Sequence, residues 1–169
     1  MRITRRHLLA LSAASTAAAA VATGGLVSQW WDQPAERPYT VMNASEAAFI
    51  RAWAGAAYPA TTAIPMAGDT AGLDRFFDEM LSTMPADTAR LLRLLIHALD
   101  NASVLTDGAP FSSLPATTQA RCFEDWIHSD IDPARSATQS LVLLVGMGWS
   151  THPMVAPHMV KLHSCGFGR

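Results

Sequence analysis

Four side chains with metal-ligand chemistry lie near the C-terminus: His152, His158, His163 and Cys165. Imidazole and thiolate together suit zinc or copper. Their separations follow no metal-site pattern, however, and an extended segment lying on a partner accounts for them as well. A second set, Arg93, His97 and Asp100, recurs at helical spacing and contains the makings of an acid–base pair. The simpler reading is the solvated face of a helix. His128, between Asp125 and Asp130, reads as structural, a cation at the negative end of a helix. The two cysteines, Cys122 and Cys165, can pair with each other or with a partner chain. Familiar catalytic signatures are missing: Gly146-Met147-Gly148 lacks the third glycine of a dinucleotide fingerprint, and there is no phosphate loop, nucleophile elbow, zinc-protease His-Glu pair or Cys-x-x-Cys-His haem attachment.

The elements that would position these groups are helical. Asn43 followed by Glu46 predicts an N-terminal capping box, and Ala47, Ile50, Trp53 and Ala57 continue at three- to four-residue spacing. A first helix over 44–57 follows, stopped by Pro59. Residues 59–72, rich in Ala, Thr, Pro and Gly, read as a long loop. A second helix over 73–83 places Leu73, Phe76, Phe77, Met80 and Leu81 on one face, with Asp74, Asp78 and Glu79 largely opposite. A third, over 86–103, has leucines round most of its circumference, which predicts a central helix whose one polar stripe is Arg90, Arg93, His97 and Asp100. Beyond the breaks at Gly108 and Pro110, a fourth runs from Pro115 to about Ser129, burying Ala120, Phe123, Trp126 and Ile127. A fifth, from near Pro133 to near Trp149, is expected to bury Leu141–Val145 on every side. The tail from Ser150 looks irregular. No stretch alternates as a half-buried strand does, so the expectation is all-α: a single helical domain of about five helices at 43–149, after a signal segment (1–22) and a linker (23–42), with an irregular tail at 150–169.

The signal segment is the sharpest motif. Thr4-Arg5-Arg6-His7-Leu8-Leu9 sets two guanidinium groups before an uncharged run extending from Leu8 to Trp31. A basic n-region, an Ala/Leu-rich h-region and the small pair Ala20 and Ala22 follow signal-peptide order, with cleavage expected after Ala22. Arg5, Arg6, Leu8 and Leu9 match the twin-arginine pattern, although His7 and Ala10 replace its usual polar and lysine positions. Retention instead of cleavage would make 8–27 an anchor, holding the protein at the periplasmic face of the inner membrane. Composition agrees with export of a chain that meets other proteins. Removing 22 residues leaves nine basic against 14 acidic side chains, a formal −5, which makes nucleic acid an unsuitable partner. Half the residues are hydrophobic and only 15% are charged, which points to surface covered by a partner.

These features together resemble the gluconate 2-dehydrogenase subunit 3 family, the small subunits of periplasmic flavin-dependent sugar and alcohol dehydrogenases. The resemblance rests on the twin-arginine start, on Asn43-Ala-Ser-Glu46-Ala-Ala, on Tyr58-Pro59-Ala60, on Phe111-Ser-Ser-Leu114-Pro115, and on Gly148-Trp149-Ser-Thr-His152-Pro153. It implies a subunit with no catalytic residues and no cofactor of its own. FAD would reside in a large dehydrogenase subunit, a cytochrome c subunit would be a further partner, and the small subunit would present the folded pair to the twin-arginine translocase. The alternatives are an exported metal- or haem-binding protein using His152, His158, His163 and Cys165, or a free-standing helical binding protein.

Overall fold

A computed structural model describes Trp30 and residues 33–162. Within residues 33–162 the first helix starts where Asn43, in extended conformation, accepts the Glu46 backbone N–H at 2.9 Å. The Glu46 carboxylate returns to the Asn43 N–H at 2.8 Å, closing the capping box. This starts α1 (Ala44–Ala57), which ends at Tyr58 as Pro59 requires. After a 3-10 turn at Gly68–Thr70, Gly72 opens α2 (Leu73–Thr83) with φ of 66°, a left-handed conformation that costs glycine nothing. There follow α3 (Ala86–Ala102), the short α4 (Val104–Asp107), a 3-10 turn at Phe111–Ser113, α5 (Ala116–Ile127), α6 (Asp132–Thr151) and α7 (Ala156–Leu162). The described residues contain no strand, so the chain is all-α as expected.

The centre of the fold is α1. Phe49, Ile50, Trp53 and Ala54 are fully buried, and α2, α3, α5 and both 3-10 turns pack around them. Phe49, Phe111, Phe123 and Trp126 surround the Trp53 ring at centroid distances of 5.3–6.0 Å. Each such side chain contributes roughly 1.5–3 kcal/mol by leaving water. Close approach elsewhere depends on glycines. A Cβ on Gly68 would stand 2.2 Å from the Ala54 carbonyl oxygen, and one on Gly148 would stand 2.4 Å from Phe76. At Gly146 the missing side chain admits the Tyr58 hydroxyl, which donates to the Val142 carbonyl while its ring stacks on Trp149.

Several expectations need correction. The predicted central helix, α3, lies to one side: Leu91 is 57% exposed, whereas Arg93, His97 and Asp100 are buried. On α2, Asp74 and Asp78 are likewise buried, and of its three predicted outward acids Glu79 alone is exposed. On α6 the apolar run is not enclosed, since Leu143 is 72% exposed while Leu141 and Val145 are fully buried. Ala120 is exposed on α5. The tail is not wholly irregular, because α6 extends to Thr151 and α7 occupies Ala156–Leu162. The compact unit begins at Pro34, inside the expected linker. There the N–H groups of Thr40, Val41 and Met42 all donate to the Asp78 carboxylate at 2.8–2.9 Å. No helix among the described residues is long and apolar enough to cross a membrane.

Candidate functional site

The densest group of ionisable side chains joins α1 to α3. Glu46 reaches it because position N3 of a capping box points back over the helix start, leaving one carboxylate oxygen for a neighbouring helix. Arg93 and His97, four residues apart on α3, share a face. Arg93 Nε donates to Glu46 Oε1 at 2.9 Å, and His97 Nε2 stands 2.9 Å from the same oxygen. Glu46 is entirely buried, and Arg93 and His97 are nearly so. Burial raises the Glu46 carboxyl, but hydrogen bonds from His97, Arg93 and the Asn43 backbone outweigh it and hold the group below the usual carboxylate range. Asp100 turns elsewhere on the same helix, accepting the Ser112 N–H at 2.8 Å and fixing the second 3-10 turn.

A cleft of about 290 Å³ lies between the end of α2 and the start of α3, with Val41, Leu81, Met84, Arg90 and Arg93 among its walls. It reaches Arg93, whereas Glu46 and His97 do not line it. The carboxylate holds the two helices together. Of the stripe read from sequence as solvated, Arg93, His97 and Asp100 are thus buried and Arg90 is not, and the partner that sequence reasoning missed is Glu46. Only its capping role is local; its contact with Arg93 spans 47 residues. A second carboxylate joint forms where Asp74 Oδ2 accepts from Tyr39 Oη at 2.6 Å and Arg51 Nη1 at 2.7 Å. Burial raises Asp74 too, and those two donors outweigh it to leave a net lowering.

The remaining candidates do not converge. Cys122 is a buried thiol whose Sγ lies 3.4 Å from Asp107 Oδ2, with Arg121 ion-paired to the same carboxylate. Burial and Asp107 push that thiol up, so it is a poor nucleophile and ligand. His128 caps α5, its backbone N–H on the Glu124 carbonyl and its ring 3.4 Å from the Glu124 carboxylate. His152 Nδ1 accepts the Met154 N–H. No three His, Cys, Asp or Glu side chains among the described residues gather as a metal would need. Arg5, Arg6, Leu8, Leu9, Ala20 and Ala22 lie outside the described residues, as do His163 and Cys165. The export motif, the cysteine pairing and the full C-terminal ligand set therefore fall outside them too.

The motif residues behind the family resemblance are joints of this core. Asn43 and Glu46 cap α1 and anchor α3; Tyr58 stacks on Trp149 with centroids 4.8 Å apart; Phe111 packs against Phe49 and Trp53. In comparison with known proteins, no family model, curated protein or solved structure matches this chain.

Proposed function

We propose that this chain is the non-catalytic small subunit of an exported flavin-dependent sugar or alcohol dehydrogenase. It binds and stabilises the large, FAD-carrying subunit and escorts it in folded form through the twin-arginine translocase. The complex then works in the periplasm, free or held at the inner membrane, with a cytochrome c subunit as a further partner. One contrast carries the reading: a set of ionisable groups on α3 and α2 points inward while several large apolar side chains point outward. Arg93, His97, Asp100, Asp74 and Asp78 are buried in bonds to the chain's own atoms. Leu91, Leu105, Ile131, Met154 and Val160, all outside the exposed row of α6, are each more than half exposed. Exposed side chains of this size offer apolar area that a partner can cover. The twin-arginine motif and the family resemblance supply the partner's identity.

Two experiments test it. The tagged full chain, expressed with its neighbouring genes and recovered from periplasm and membrane, should carry a flavoprotein with a flavin absorption spectrum. A chain recovered without one contradicts the reading. Arg5→Lys with Arg6→Lys should leave both subunits in the cytoplasm, and continued export of the flavoprotein would remove the escort role.

A further inference from the structure

We infer that the outer face of α6 docks a second copy of this chain, the two α6 helices packing antiparallel about a two-fold axis between Ser140 and Leu143. The inference is independent of the flavoprotein reading. Ser136, Ser140, Leu143 and Met147 fall at i, i+4, i+7 and i+11, one row along a helix, and all four are exposed, Leu143 by 72% and Met147 by 50%. Their order is small, small, large, large. An antiparallel two-fold sets Ser136 against Met147 and Ser140 against Leu143 of the other copy, so each large side chain meets a small one. A parallel pair would set Met147 on Met147 and leave gaps between serines. Ridge-into-groove packing rewards the first arrangement.

Charge points to the same occupant. A two-fold contact brings a patch onto itself, so any charge on it meets its like unless the geometry separates the two. Outside the expected signal segment the chain is acidic, yet no Asp, Glu, Lys or Arg occurs between Arg135 and Lys161. This face can therefore approach its own copy without repulsion. It can also dry without stranding the Ser140 hydroxyl, which donates to the Ser136 carbonyl at 2.8 Å. A lipid surface fits less well, since the row carries no basic residue to meet anionic headgroups. One helix pair of this length buries less than about 1,200 Å² in all, the class of weak, concentration-dependent contacts.

Sedimentation of the purified full chain across a dilution series should show mass moving between one and two chains. Leu143→Lys, at a site too exposed to threaten the fold, should abolish the heavier species and leave the circular dichroism spectrum unchanged. Register is read by cysteine pairs. Ser136→Cys with Met147→Cys should link two chains on mild oxidation, as identified by mass spectrometry of the joined peptides. Ser136→Cys alone should not, because its counterpart lies roughly 16 Å along the axis, beyond the ~7 Å that a disulfide spans. A chain that stays monomeric at every concentration overturns the proposal. So does cross-linking of the single variant as readily as the pair, or a dimer indifferent to Leu143→Lys. If Leu143→Lys instead abolishes binding to the flavoprotein or to phospholipid vesicles while the wild type never dimerises, the face has another occupant and the proposal falls.

Discussion

Replacing Glu46 by glutamine removes one charge from a wholly buried site. The carboxylate is wholly buried and accepts from Arg93 Nε, His97 and the Asn43 N–H. Breaking a buried ion pair by neutralising one partner costs about 3–5 kcal/mol, because the remaining charge stays in the interior. The amide also turns an N–H toward a donor, weakening a capping box worth about 1 kcal/mol. The two terms overlap, so a loss of about 3–5 kcal/mol is expected from a domain whose total stability is of the order of 5–15 kcal/mol. Urea unfolding followed by far-ultraviolet circular dichroism measures it as a lower midpoint at unchanged slope. Glu124→Gln is the control: that carboxylate is 67% exposed beside His128, and its loss should cost under about 0.5 kcal/mol. Adding Arg93→Met to Glu46→Gln should cost less than the sum of the two single changes, since the two residues share one buried ion pair. If Glu46→Gln is as mild as Glu124→Gln, the cluster is not the joint described here.

Other outcomes follow from the same contacts. Glu46 and Asp74 both titrate below the ordinary carboxylate range in the fold, hydrogen bonds outweighing burial. Each therefore contributes its full stabilisation above its unfolded pKa, about 4.3 for Glu and 3.9 for Asp, and loses it as pH falls through the lower folded value. The urea midpoint should hold from neutral pH to roughly pH 5.5 and then fall in acid, less steeply in Glu46→Gln; a midpoint unchanged at pH 3.5 would contradict this. Gly68→Ala should destabilise by at least about 1–3 kcal/mol, because its Cβ would meet the Ala54 backbone oxygen at 2.2 Å; a neutral thermal shift would contradict the close approach. Asp78→Ala should leave three backbone donors without their acceptor and speed amide exchange at Thr40, Val41 and Met42, while α5 amides keep their protection. Unchanged exchange at those three positions would refute the clip.

What the sequence made legible was local. Asn43, Glu46 and Pro59 bracket α1 by chemistry acting within a few residues, and the apolar spacing of Leu73, Phe77 and Leu81 does the same for α2. Orientation was not legible. Whether Arg93, His97 and Asp100 face water or core depends on an acceptor 47 residues from Arg93 and a turn 12 residues beyond Asp100. Likewise Asp74 and Asp78 alternate with apolar residues as a solvated face would, and the chain at 39–42 that covers them looked like linker. On α6, Leu143 sits in a run of five apolar residues, so periodicity could not separate buried Leu141 and Val145 from the exposed leucine between them. Helix α7 followed from no periodic signal, since Pro153 and Pro157 obscure its start.

The attachment of residues 40–42 to Asp78 has a mechanical meaning. Any force applied through the polypeptide upstream of Pro34 enters this unit along the segment that precedes α1. It meets the Tyr39 bond to Asp74 and the three backbone bonds to Asp78 before it reaches the capping box at Asn43. Traction is thereby handed to the side of α2 rather than to the first turn of α1. A haul on the leading end would load α2 through its two carboxylates and, through Arg51, the middle of α1, before it reached the helix start.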